Sequence, residues 1–168
     1  PEHATRLKQL AEQYQFRLIT TPVNRGLGNN LNKGQDAVKT PYTLYVQEDF
    51  IPTAIFPQRF QDGLALMEER NDFDMVRFYA HKPYPNLKPY KRGFSEMVFK
   101  LTQPGTEKFF YYSDTPHLRR SNFFERFGRY AEGVRAIKGE KFMDMSFLQH
   151  HGKALQCGAL GAFGGFFD

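Results

Sequence analysis

Tyr42-Thr43-Leu44-Tyr45-Val46-Gln47-Glu48-Asp49 is a short aromatic stretch that ends in two acidic residues. Pro41 ends a helical pattern before it, and a second helical pattern begins after Pro52. Strands that alternate with helices indicate right-handed crossovers and a mainly parallel sheet flanked by helices. In such sheets ligands bind beyond the carboxyl ends of the strands, and Asp49 occupies that position.

The residues on both sides of this stretch continue the alternation of helices and strands. Apolar residues at helical spacing predict helices at 4–14, 27–38, 56–67 and 141–151, and short apolar runs predict strands at 16–20, 42–46, 73–79, 108–112 and 154–156. A small helix capped by Ser121 is predicted after residues 117–120. The Pro- and Gly-rich segment 81–105 is predicted to be an extended surface excursion. The chain is therefore predicted to be one α/β domain over residues 1–168.

The amino-acid composition limits the classes of protein to which the chain can belong. The 168 residues include 18 Phe and 9 Tyr, a content that disordered chains do not show. The single cysteine, Cys157, cannot form an internal disulfide, which favours a reducing compartment or a bacterial cytoplasm over a secreted scaffold. No stretch approaches the roughly 18 consecutive apolar residues of a spanning helix. The formal charge of +5 favours anionic partners, although solubility alone would also explain it.

The two acidic residues at the end of the 42–46 strand are candidate metal ligands. Asp49, with Glu48 beside it, places carboxylate oxygens on a loop where Mg²⁺ or Mn²⁺ would be held against phosphates. One or two carboxylates suffice, because phosphate and water supply the remaining ligands. The alternative is that Glu48 or Asp49 only caps the following helix.

The segment from Asn24 to Gly34 is a candidate anion site. It combines glycines, amide side chains and cations where a loop enters a helix, and backbone N–H groups and the helix dipole favour a diphosphate there. The residues assigned to this role are Asn24, Arg25, Asn32 and Lys33. A Gly/Asn turn with an amide N-cap is the alternative.

The order of these pieces resembles family 2 glycosyltransferases. Asn24-Arg25-Gly26, then Asn32-Lys33-Gly34, then a strand that ends in Gln47-Glu48-Asp49 is similar to the family's two Asn-x-Gly segments and its acidic Asp-x-Asp motif. The resemblance implies the GT-A fold, a Rossmann-like α/β architecture for nucleotide-diphospho-sugar transferases, with Asp49 as the metal ligand. Leu31 replaces the Arg that commonly precedes the helical Asn, which leaves Arg25 or Lys33 as phosphate contacts.

The second half of the chain resembles the same family. Residues 117–128 are similar to the segment that precedes the acceptor site, and residues 139–144 are similar to the motif that supplies the general base. Alignment to Gly152 assigns the base to Glu140, whereas counting from the helix assigns it to Asp144. Both stay candidates, and each carboxylate would otherwise be one that the helix dipole stabilises.

The resemblance implies an enzyme that moves a sugar from a nucleotide-diphosphate donor to a hydroxyl of a glycan or lipid-linked acceptor, with inversion and metal assistance. Residues 1–80 would form the donor and metal half of the domain, and residues 81–168 the acceptor half. The family's first strands are absent, so an N-terminally truncated fragment is expected. Polysaccharide biosynthesis in the cytoplasm, with peripheral association at the inner face of the membrane left open, fits this assignment, and the oligomeric state is left open.

Two other classes of function compete with sugar transfer. The family usually has charged functional residues at the positions of Gln47, Leu31 and Lys141. Their replacement favours a non-catalytic nucleotide- or glycan-binding domain derived from the same fold. Basic charge and many aromatic residues would also suit a nucleic-acid binder. Because the aromatic residues fall mostly in apolar helical or strand patterns, no nucleic-acid partner is expected.

Overall fold

The computed structural model of the protein describes residues 2–100, 110–158 and 162–165. The helices in these ranges are α1 Glu2–Tyr14, α2 Gly26–Ala37, α3 Phe56–Glu69, α4 Phe123–Phe127 and α5 Ala136–Gln149. The strands are β1 Tyr42–Tyr45, β2 Phe50–Pro52, β3 Met75–Arg77, β4 Leu87–Pro89, β5 Phe94–Met97, β6 His117–Arg120, β7 Ala154–Cys157 and β8 Phe163–Gly165.

A six-stranded mixed sheet organises the molecule, in the order β1-β6-β3-β7-β5-β4. β6 runs antiparallel to both β1 and β3, β3 runs parallel to β7, and β5 runs antiparallel to both β7 and β4. β2 and β8 form a separate antiparallel pair. The two strands of this sheet from residues 1–80, β1 and β3, are therefore separated by β6, and β3 is followed by the other three strands from residues 81–168.

The α/β class is confirmed, but the prediction of a mainly parallel sheet is wrong. Among the strand pairs of the described ranges, β3 and β7 alone run parallel, and the rest are antiparallel. The cause is the position of β6. The crossover through α3 does place β1 and β3 in the same direction, yet β6 lies between them and runs against both.

Local predictions hold where the periodicity is strong. The helices expected at 4–14, 27–38 and 56–67 are confirmed as α1, α2 and α3. The strands expected at 42–46, 73–79 and 154–156 are confirmed as β1, β3 and β7, with β3 shorter than its apolar run. These helices and strands depend on residues that are close together along the chain, so the sequence alone predicts them.

Other local predictions differ from the structure. Residues 16–20 form no strand: Phe16 and Ile19 are exposed, so this segment has not joined the ladder that would bury an apolar face. The 81–105 excursion contains the β4–β5 hairpin, while of the predicted 108–112 strand residues 108 and 109 lie outside the described part and 110–112 are not in a strand. α5 begins five residues earlier than expected, because Gly139 is accommodated inside the helix.

The two faces of the sheet bury different side chains. Leu118, Val76 and Leu155 are register partners on the face covered by α3, in an apolar core. His117, Arg77 and Gln156 are register partners one residue away and therefore face the opposite side. That side packs against α2, α4 and α5, so a row of buried polar side chains lies beneath these helices.

Candidate active site

A cavity of about 350 Å³ lies between α2 and the carboxyl end of β1. Its walls include Leu27, Leu31, Tyr45, Glu48 and Arg119, and we name it the α2–β1 cavity. Leu27 and Leu31 also line a small neighbouring hollow against α5, the α2–α5 hollow, whose wall includes Asp114 and Glu140. Acidic groups from β1 and from α5 therefore reach the same wall of α2.

Asp49 lies in the turn that follows β1, as the sequence predicts. Its Oδ1 is buried and has no hydrogen-bond partner in the part of the chain that the structure describes. A buried carboxylate oxygen without a donor is costly unless a cation or proton satisfies it. Neighbouring Glu48 lines the α2–β1 cavity. These two hard oxygen donors fit a divalent cation that takes its other ligands from phosphate and water.

The described ranges contain no group of three or more His, Cys, Asp or Glu side chains arranged to hold a metal ion. A site built from Asp49 and Glu48 would therefore depend on ligands that the substrate brings.

Glu140 meets the loop before β6. Its Oε1 accepts a hydrogen bond from Ser113 Oγ at 2.8 Å and one from the backbone N–H of Asp114 at 3.2 Å. Burial, followed by the charge and hydrogen bonding of Glu140 and the charge of Asp49, raises the pKa of Asp114 to about 7. Asp114 therefore carries a proton where an ordinary aspartate would be ionised, beside the Glu140 carboxyl.

Asp144, the alternative base, lies one helical turn after Glu140 on the same side of α5. It is buried, and its Oδ1 accepts the backbone N–H of Tyr112 at 2.7 Å. Burial raises the pKa of Asp144 to about 6, and hydrogen bonds from the backbone oppose that rise. Glu140 lines the α2–α5 hollow, whereas Asp144 is not among the residues described as lining a cavity. Its contacts hold the 111–112 segment against α5.

Of the residues predicted to bind phosphate, Asn24 and Arg25 directly precede α2, and Asn32 and Lys33 lie in its middle. Asn24 Oδ1 accepts the backbone N–H of Gly26 at 2.8 Å, which forms the turn into the helix. Arg25 is exposed beside it and Lys33 is half-buried. Asn24, Arg25 and Lys33 are not among the residues that line the α2–β1 cavity, so their phosphate contacts stay predictions.

Asn32 has a different environment from its predicted partners. It is buried, and its amide binds the backbone carbonyl of Tyr130, the backbone N–H of Tyr130 and the Glu132 carboxylate. The side chain thereby fixes α2 to the loop that leads into α5. Its contact with a donor stays a prediction, because the α2 residues that line the cavity are Leu27, Asn30, Leu31, Gly34 and Gln35.

Sequence reasoning missed Asp114 and the polar residues that support Arg119. Arg119 is 1% exposed, and it donates from Nε to Gln35 at 3.0 Å and from Nη1 to the Tyr130 hydroxyl at 3.3 Å. No carboxylate within the described ranges forms an ion pair with it. Its charge therefore faces the α2–β1 cavity largely uncompensated. Asp114 stands in no helical or strand pattern, so the sequence offered only its charge as a signal.

No helix in the described ranges combines the length and the apolar character that crossing a membrane requires.

Comparison with known proteins supplies the family. No curated protein matches the chain. The model of the family described as Glycosyl transferase family 2 matches residues 4–136. The matched region covers most of the chain, including Asp49 and Asp114, and stops before Glu140. The chain therefore belongs to glycosyl transferase family 2, whose members have the GT-A fold and transfer a sugar from a nucleotide-sugar donor to an acceptor.

Proposed function

We propose that this protein is an inverting glycosyltransferase that uses Asp49 to hold a divalent cation and Glu140 as general base. One observation carries the proposal: Glu48, next to Asp49, and Glu140 line two cavities that share Leu27 and Leu31, and the charge of Asp49 acts on Asp114 beside Glu140. Two separate acidic tasks, charge neutralisation at the leaving group and proton removal from the acceptor, need such convergence.

The α2–β1 cavity is the proposed place of the donor diphosphate. Buried Arg119 supplies a positive charge in its wall, and a guanidinium in a partly buried site attracts phosphate oxygens strongly. Asp49 and Glu48 would hold Mg²⁺ or Mn²⁺ at the rim. When bound, such a cation neutralises negative charge on the leaving diphosphate.

Glu140 is the proposed base. The acceptor hydroxyl oxygen forms a bond to the anomeric carbon of the donor sugar while the bond from that carbon to the diphosphate oxygen breaks. The electron pair of the broken bond leaves with the diphosphate, and the hydroxyl proton passes to the Glu140 carboxylate. Attack from the face opposite the diphosphate inverts the anomeric configuration. A general base of this kind contributes about 10²–10⁴-fold to the rate.

Geometry favours Glu140 over Asp144. Glu140 is half-buried and lines a hollow beside the donor cavity, whereas Asp144 is buried and is not among the residues that line that hollow. Asp114 assists Glu140 indirectly. Its pKa of about 7 keeps it mostly neutral below pH 7, where it presents a proton to the neighbouring carboxyl rather than a second negative charge.

Release of nucleoside diphosphate from a panel of nucleotide sugars tests the proposed donor chemistry. We expect release that requires Mg²⁺ or Mn²⁺, is abolished by chelation, and is lost in Asp49→Asn. Glu68→Gln is the matched control, because this exposed carboxylate on α3 lies away from the cavities. Tight nucleotide binding by calorimetry without turnover over a broad acceptor panel would instead favour the non-catalytic domain. Metal-independent release by Asp49→Asn would contradict the assigned role of Asp49.

A further inference from the structure

A second polar cavity, of about 220 Å³, lies on the other side of Ser113 from Glu140. Its walls are formed by three basic side chains and several hydroxyl-bearing ones, namely Arg77, His81, Lys82, Tyr84, Ser113 and Thr115. Within the described ranges, the lining includes no carboxylate. We name it the Arg77 cavity.

Arg77 is the buried cation of this cavity. It is 6% exposed, and its Nη1 donates to the backbone carbonyl of Phe110 at 3.1 Å. Its Nε is buried without a hydrogen-bond partner among the described residues, and no ion pair to Arg77 is found there. A buried guanidinium with an unused N–H is costly unless an acceptor reaches it. Arg77 therefore brings a positive charge and unfilled hydrogen-bonding capacity to the wall of this cavity, which favours a hydrogen-bond acceptor, best a charged one.

The neighbouring groups select for an anion. Lys82 and His81 are exposed at the same cavity, so positive charge extends from its buried wall to its mouth. A planar guanidinium pairs well with the two oxygens of a carboxylate or phosphate. The nearest negative charges acting on Arg77 are Glu140 and Asp144, which lie on α5 rather than in the lining.

We propose that the Arg77 cavity binds an anionic group, a carboxylate or a phosphate, on the sugar acceptor. This inference rests on the proposed function, because Ser113 connects the cavity to the proposed base. Ser113 Oγ lies in the cavity wall and donates to Glu140 Oε1 at 2.8 Å. An acceptor anchored through its anionic group would be held within reach of the base. Its binding would then also orient the acceptor hydroxyl toward Glu140.

Binding of three matched sugars tests this proposal: neutral glucose, glucuronate with a carboxylate, and glucose 6-phosphate with a phosphate. Titrations monitored by NMR at low salt, without donor, should show one or both charged sugars binding about tenfold or more tightly than glucose. The charged sugar that binds more tightly identifies the preferred group. Equal binding of all three, or no charged-sugar binding below about 10 mM, would overturn the proposal.

Variants locate the binding in this cavity. Lys82→Gln should weaken binding of the charged sugar several-fold and Arg77→Gln by about tenfold or more, with glucose unaffected. Lys88→Gln, an exposed lysine on β4 outside the lining, is the control and should bind like the parent protein. If Arg77→Gln fails to fold, the comparison of Lys82→Gln with Lys88→Gln decides the matter, and identical affinities would overturn the assignment. Because no donor is present, the result is independent of whether sugar transfer occurs.

Discussion

Asp49 keeps a carboxylate oxygen buried without a hydrogen-bond partner in the described structure. In metal-free buffer we expect Asp49→Asn to unfold at no lower temperature than the parent protein, since the substitution removes a poorly solvated charge. Mn²⁺ with a nucleoside diphosphate should stabilise the parent protein, by about 2.7 kcal/mol at a hundred times the dissociation constant, and should leave the variant unchanged. Thermal unfolding with and without these ligands measures both effects, and equal shifts in the two proteins would argue against a metal at Asp49.

Asp114 makes stability depend on pH. Burial raises its pKa to about 7 in the folded state, compared with about 3.9 for an unfolded aspartate. Its stabilising contribution is therefore complete below about pH 4 and is lost as the pH rises through 7. Asp114→Asn stays neutral throughout, so relative to the parent protein its free energy of unfolding should rise by roughly 1–3 kcal/mol between pH 5 and pH 8.

Denaturant unfolding at several pH values in the presence of a chelator measures this difference. Asp36→Asn serves as the control, because Asp36 is exposed and its pKa is lowered by its pairing with Arg129. A lowered pKa affects stability only at acidic pH, so this variant should run parallel to the parent protein from pH 5 to pH 8. If Asp114→Asn also runs parallel, Asp114 does not carry the proton assigned to it.

The sequence alone indicated the position of some candidate site residues but not of others. The end of a strand was predictable, and Asp49 does lie in the turn after β1. Its role as a metal ligand and that of Glu140 as the base stay predictions. Asp114 was missed because its role depends on a contact with a residue 26 positions away. Asn32 matched the expected pattern, yet its amide is used to fix Tyr130 and Glu132 in place.

At the scale of elements, the close packing of α2 against the loop before α5 sets the position of both halves of the site. A Cβ on Gly28 would overlap the backbone carbonyl of Ala131, whereas a Cβ on Gly34 in the same helix would meet nothing within 4 Å. Gly28→Ala should therefore destabilise the protein by roughly 1–3 kcal/mol, because a backbone segment has to move. Gly34→Ala should stabilise it by up to about 1 kcal/mol through helix propensity.

Chemical denaturation of the two variants compares these effects directly, since both replace a glycine of α2 by alanine. The free energy of unfolding should fall in Gly28→Ala and rise in Gly34→Ala. Equal stability of Gly28→Ala and Gly34→Ala would mean that α2 is not held against the loop at residues 130–131, and that the wall shared by the two acidic groups is not fixed.

Helices and strands were predictable to different degrees. α1, α2 and α3 follow from local periodicity, but the direction of neighbouring strands depends on which segment enters the sheet between them. β6 enters between β1 and β3 although it begins at His117, 40 positions after β3 ends at Arg77, and nothing in residues 42–77 indicates this. The start of α5 was misplaced because Gly139 looked like a boundary, although it is buried inside the helix.

At the scale of the whole molecule, the site exists only because the sheet brings distant segments together. α2 and the end of β1 line the α2–β1 cavity, α2, Asp114 and α5 line the α2–α5 hollow, and Ser113 and Thr115 line the Arg77 cavity. Motif order was enough to indicate the family, which the match over residues 4–136 confirms. It was not enough to find the buried cation Arg77, which forms no ion pair within the described structure.

The most direct test of the account is the rate of sugar transfer by Glu140→Gln, measured as nucleoside diphosphate release with donor, acceptor and divalent cation all saturating. We predict that this isosteric variant loses about 10²–10⁴-fold in turnover while it binds the donor as the parent protein does. Glu68→Gln should keep full turnover. Glu140→Gln turning over as fast as Glu68→Gln would contradict the assignment of the base, and with it the proposed mechanism.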